Sequence, residues 1–125
     1  MHPGVSNEAG YRVSRIVADL AVARPIHLAI IDGVESMAGG EGPWIRGVRA
    51  VKPGVLIAGL NPVCTDAVAT AVMGYNPRAT RGTAPFRNAD NTMLLAEAVG
   101  VGTTDLKRID VRGVLIEQAI YRYDV

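Results

Sequence analysis

Two short apolar runs, IHLAIID at residues 26–32 and GVLIAGL at 54–60, constrain this chain more than any other feature of it. Both are rich in β-branched residues and nearly unbroken by polar ones, as expected of central strands covered on both faces. The stretch between them, 33–53, is long enough for a parallel crossover. The order of elements is helix, strand, loop, strand, helix, helix, strand. It predicts an α/β layered domain with a mainly parallel or mixed sheet flanked by helices. An antiparallel pairing of the two runs would instead put Asp32 and Asn61 at opposite ends of the sheet.

Capping residues and helical spacing place the other elements. A first helix is predicted over 8–23, capped by Ser6 or Asn7, with Val13, Ile16, Val17 and Leu20 on one face and Pro25 beyond its end. A second runs over 62–73. Asn61 is its N-cap, Pro62 its first residue and Gly74 its stop. Residues 75–91 read as a loop carrying Arg78, Arg81 and Arg87. Asp90 or Asn91 caps a third helix over 92–99, closed by Gly100. LKRIDVRGV at 106–114 resembles a third strand, and WIRGVRAV at 44–51 a short edge strand.

At 125 residues the chain is expected to form one domain. Hydrophobic residues make up 49% and charged ones 20%, the profile of a folded protein rather than a disordered one. A formal net charge of +1 gives no general field to draw nucleic acid or an anionic membrane. The longest apolar runs fall far short of the ~20 residues of a membrane helix, and MHPGVSNEAG lacks the pattern of a signal peptide. The single cysteine, Cys64, excludes an internal disulfide, a four-cysteine zinc site and an iron-sulfur cluster held by this chain alone, and points to a cytoplasmic setting.

Carboxylates carry the candidate chemistry. Asp66 sits on the second helix with apolar residues on both faces, where an ionised acid is costly without a partner; the plain alternative is a hydrated acid near a helix start. Asp32 ends a predicted strand, the edge where ligands collect in open α/β sheets, or else it bonds nearby backbone N–H groups in an Asp-Gly turn. Asp32 and Asp66 are thus the candidate catalytic acids. Together with Glu41 they form a candidate oxygen site for a divalent cation, Mg2+ or Ca2+. The run GGEGP suits a shaped binding turn through Gly40, Glu41, Gly42 and Pro43, or simply a hairpin. No phosphate-loop lysine and no GxGxxG accompanies it. Asn61 and Pro62 open the second helix, a position suited to anions, and Arg78 and Arg81 are positioned in sequence to add contacts to a small anionic or polar ligand. Cys64 reads as a small core residue, and His27 as a packed, hydrogen-bonded strand residue.

Three ordered blocks, LAIIDGVESMAGGEGP, GVLIAGLNPVCTDAVATAVMGY and AEAVGVGTTDLKRIDVRG, make the chain resemble domain of unknown function 362 over about residues 16–113. The resemblance implies an α/β domain of undefined role, often accompanied by ferredoxin-type iron-sulfur modules, so a ferredoxin-like partner is implied too. By motif position it marks Asp32, Gly42, Pro43, Pro62 and Asp66. Asn61 stands where relatives often carry Asp, which removes a charge from any metal site. The family's domain extends further at its N-terminus, so the chain is expected to be the C-terminal part of a longer domain.

Two functions follow as expectations. One is a ligand-binding, enzymatic or redox-associated domain with an acidic site at Asp32, Glu41 and Asp66. The other is a non-catalytic structural or interaction module, which pairs with a missing N-terminal half or forms a homo-oligomer through an exposed sheet edge.

Overall fold

The computed structural model describes residues 7–40 and 42–123. Within it lie α1 (Ala9–Ala23), β1 (Ala29–Gly33), β2 (Ser36–Ala38), β3 (Arg49–Val51), β4 (Val55–Gly59), α2 (Pro62–Val72) and α3 (Thr92–Ala98). A 3-10 turn at Leu106–Arg108 and a short α4 (Ile116–Ala119) follow. The fold is a mixture of helices and small antiparallel sheets.

The sheet differs from the parallel or mixed one expected. β1 pairs antiparallel with β4, Ala29 opposite Gly59 and Gly33 opposite Val55. Beyond them β2 pairs antiparallel with β3, Ser36 opposite Val51 and Ala38 opposite Arg49. The summed register changes by one between the two ladders, and Gly54 N–H donates to Val34 O (3.3 Å) at the join. The connection from 33 to 53 therefore folds onto itself as a second ladder instead of crossing over the sheet. Gly39, Gly40, Gly42 and Pro43 lie in the turn between the two strands of that ladder. Gly39 takes φ +93° and its Cα faces the Gly47 carbonyl, where a Cβ would sit only 3.0 Å from that oxygen. A glycine there lets the ribbon reverse.

α1 spans nearly the expected residues but buries a neighbouring face, rotated from the expected one. Ser14 and Ala18 are buried, while Val13, Ile16, Val17 and Leu20 are exposed. Small residues decide this. Gly10 lies directly against the Asn88 carbonyl, so no side chain fits there, and Asp90 N–H donates to Gly10 O (3.0 Å). The helix packs closely on α3 through this small-residue side, and its larger apolar residues are left outward. Its N-cap is Glu8, whose side chain makes no capping bond to the helix, rather than Asn7; Ser6 lies outside the described residues.

α2 and α3 form as expected. Asn61 Oδ1 accepts from Cys64 N–H (3.0 Å), and Gly74 follows α2 at φ +87°. Asn91 Oδ1 accepts from Met93 N–H (2.9 Å), and its amide donates to Pro77 O (2.8 Å) and Ala79 O (2.9 Å). Buried Ala18, Val63, Ala67, Met93 and Ala96 meet where α1, α2 and α3 converge, with Phe86, Leu95, Val101, Leu106 and Ile109 packed around them.

The third strand expected at 106–114 is absent. Asp105 Oδ1 accepts from Lys107 N–H (3.1 Å), which winds the segment into a turn, and Leu106 and Ile109 point into the helical core. The chain then returns along α2, where Tyr121 N–H donates to Val72 O (2.8 Å) and Tyr123 N–H to Met73 O (3.3 Å). His27 precedes β1 and is exposed rather than packed in a strand, and Cys64 is half-buried rather than a core residue. Among the described residues no helix is long and apolar enough to cross a membrane.

Candidate functional site

Antiparallel pairing separates the two ends of the expected site. Asp32 stands opposite Leu56, at the end of the ribbon nearest Val55. Thr65 of α2 lies against Gly59, so the turn of helix carrying Asp66 belongs to the other end. Gly59 is opposite Ala29, three residues and about 10 Å from Asp32 along the strand. Glu41, the third acid of the set, lies outside the described residues. Among the described residues no three His, Cys, Asp or Glu side chains gather as a metal site.

Each acid has a local explanation. Asp32 Oδ1 accepts from Val34 N–H (3.0 Å), the turn alternative for Asp before Gly. Asp66 is on the exposed side of α2, yet enough of its surroundings is protein that desolvation raises its carboxyl above the usual range. Water still reaches the residue, so no buried partner is required of it.

Gly40 and Gly42 are closed in by the residues that follow them. Ile45 N–H donates to Gly42 O (3.0 Å), Gly40 lies against Val48 and Ile45, and Gly42 is buried beneath the Trp44 ring. Pro43 is exposed and Trp44 is 78% exposed. At the start of α2, Gly102 packs against the Asn61 side chain and Val63. The loop Gly100–Thr104 thus lies beside Asn61 and Pro62.

Arg78 and Arg81 are engaged elsewhere. Arg78 donates to Thr104 Oγ1 (2.7 Å) and pairs with Glu97 (3.3 Å), and Arg81 pairs with Glu8, with Asp90 at 4.0 Å. Glu97 also accepts from Thr103 Oγ1 (2.8 Å) and from Thr104 Oγ1, and Thr104 is fully buried. Hydrogen bonds from Thr104 and then Thr103, with the nearby Arg78 charge, hold the Glu97 carboxyl below its ordinary range. Sequence reasoning missed this cluster. Its one signal was Thr-Thr-Asp directly after Gly-x-Gly, next to a glutamate on the preceding helix.

Two shallow, open hollows lie among the described residues. One, of about 310 Å3, is lined by Leu106, Ile109, Asp110, Val111, Leu115, Ile116 and Glu117. The other, of about 440 Å3, lies between Asp19, Val22, Ala23 and Val99. Neither touches Asp32, Asp66, Asn61, Arg78 or Arg81.

One outward face of the ribbon is apolar. On the face of the β1–β4 ribbon that alternates away from its half-buried positions, Ile30 is 65% exposed and Leu56 70%, and Leu60 just beyond β4 is 82% exposed.

The family model for domain of unknown function DUF362 matches residues 1–71. The chain belongs to the DUF362 family. The matched part of the DUF362 domain carries the strand ending at Asp32, the GGEGP run, β4 and α2 up to Ala71, and the third block, from Ala96 on, lies beyond it. No curated protein and no solved structure matches the chain.

Proposed function

We propose that this domain is a non-catalytic interaction module, in which another polypeptide covers the outer face of the β1–β4 ribbon and extends its sheet. The observation that carries this reading is the exposure of Ile30, Leu56 and Leu60 on one side of a sheet that has two strands among the described residues. Two-stranded ribbons are marginal alone, and contiguous exposed apolar surface marks association sites. The outward stripe of Val13, Ile16, Val17 and Leu20 on α1 adds further surface of the same kind.

Ligand binding at an acidic site has one observation in its favour, the desolvated carboxyl of Asp66. Thermal melting separates the two readings. A module is expected to melt at the same temperature with or without Mg2+, Ca2+ or inorganic phosphate. Stabilisation by any of them, lost in Asp66→Ala, would replace this reading with the ligand site.

A further inference from the structure

We infer that residues 102–105 form a strap laid across the start of α2, and that the negative charge of Glu97 is the latch that holds it down. The device is separate from the apolar face of the ribbon.

The strap is pinned at both ends. Val101 and Leu106 pack against the helical core, and Val101 N–H donates to Ala96 O (2.9 Å). Between them Gly102 takes φ +69° and lies so close upon Asn61 and Val63 that no side chain fits at its position. Asn61 Oδ1 accepts from Cys64 N–H and so caps α2. The strap therefore covers the cap and the first turn of that helix.

Two hydrogen-bond chains run through the strap and end on one carboxylate. Arg78 Nη1 donates to Thr104 Oγ1 (2.7 Å), which donates to Glu97 Oε2 (2.5 Å). Asp105 N–H donates to Thr103 Oγ1 (3.2 Å), which donates to Glu97 Oε1 (2.8 Å). Each hydroxyl already accepts one hydrogen and aims its own at Glu97. A carboxylate accepts at both oxygens, whereas a carboxylic acid carries a hydrogen on one of them. Protonation thus turns one threonine hydroxyl away from its acceptor. Thr104 is fully buried and Thr103 nearly so, which makes a lost partner costly there. The same proton removes the charge that strengthens both bonds and the partner of Arg78 at 3.3 Å.

Arg78, from the loop after α2, is the charged group that acts on Glu97; α1 and α2, which pack on α3, supply no charge that does so among the described residues. On the strap itself Asp105 turns its carboxylate to Lys107 N–H. These contacts hold the Glu97 carboxyl below its ordinary 4.5, so the strap stays closed until the pH falls under that value.

The test is an amide NMR titration of the whole chain from neutral pH down past 4.5, with Glu97→Gln and Asp105→Asn beside wild type. In wild type Thr103, Thr104 and Asp105 are expected to shift in one step with a midpoint below 4.5, and Val63 and Cys64 to follow with the same midpoint. Tyr121 and Tyr123, bonded to the far end of α2, are expected to hold still. Glu97→Gln is expected to lack the step, and at neutral pH its Cys64 and Asp105 amides exchange about tenfold faster than in wild type, the effect of one hydrogen bond lost. Asp105→Asn is expected to keep the step. A step that survives in Glu97→Gln, that vanishes in Asp105→Asn, or that leaves Val63 and Cys64 unmoved overturns the latch. So does a step in which Tyr121 and Tyr123 move too, which is global unfolding. Should circular dichroism show Glu97→Gln unfolded, the other two titrations decide: a shared midpoint below 4.5 supports the latch, and separate or higher midpoints overturn it.

Discussion

Asp32 and Leu56 face each other across the β1–β4 ladder, both on its open side. One carboxylate therefore sits beside an exposed leucine at the end of the ribbon remote from the start of α2. Its measurable work is the turn bond from Val34 N–H. Asp32→Ala is expected to lower stability by about 0.5–1.5 kcal/mol, the net worth of one exposed-end hydrogen bond. Urea unfolding measures this, and Asp32→Asn, which keeps the acceptor, is expected to recover most of it.

Asp66 gives a pH dependence of the opposite kind from most carboxylates. Its native pKa is raised by desolvation, so its contribution favours the fold below the unfolded pKa and is lost as pH rises through the native one. Asp66→Asn is accordingly expected to melt higher than wild type at neutral pH. The difference closes below the ordinary value of 3.8. Melting temperatures across that range check the sign.

Glu97 runs the other way. Its native pKa is lowered, first by the Thr104 hydroxyl and then by Thr103. The stability it brings is present above the unfolded pKa, ordinarily 4.5, and is lost as pH falls through the native value. Thr104→Val is expected to flatten the acid limb of the stability curve, and urea midpoints between neutral and acid pH measure the change.

Asn91 joins three segments at once, capping α3 while donating to Pro77 O and Ala79 O from a buried position. Asn91→Ala removes a cap, worth ~1 kcal/mol, and strands carbonyls whose loss costs about 1–3 kcal/mol. A total near 2–4 kcal/mol is expected by chemical denaturation, with amide exchange quickening over residues 78–80.

Local chemistry was legible in the sequence wherever a side chain acts on its own neighbours. Asn61, Pro62 and Gly74 mark α2, and Asn91 and Gly100 mark α3, because caps and stops are bonds within a turn or two of the residue that makes them. Strand direction was not legible. A connection of the length of 33–53 permits either pairing, and the outcome was decided by three residues of β2 finding three of β3, a contact no periodicity announces. The buried face of α1 is not legible in the sequence for a related reason. Large apolar residues at helical spacing suggest a core, but Gly10, Ser14 and Ala18 allow the closer approach of backbone to backbone. As for the site, the expected convergence of Asp32 with the α2 end depended on strand direction and departed with it, and Glu41 falls outside the described residues.

The most direct measurement is the fluorescence of an apolar dye on the native chain at low protein concentration, compared with Leu56→Ser/Leu60→Ser. The open-face account predicts dye binding by wild type, its loss in the double variant, and a stability within about 0.5 kcal/mol of wild type, as for surface positions. No dye binding by wild type, or a variant that unfolds because those leucines belong to the chain's own core, would contradict it.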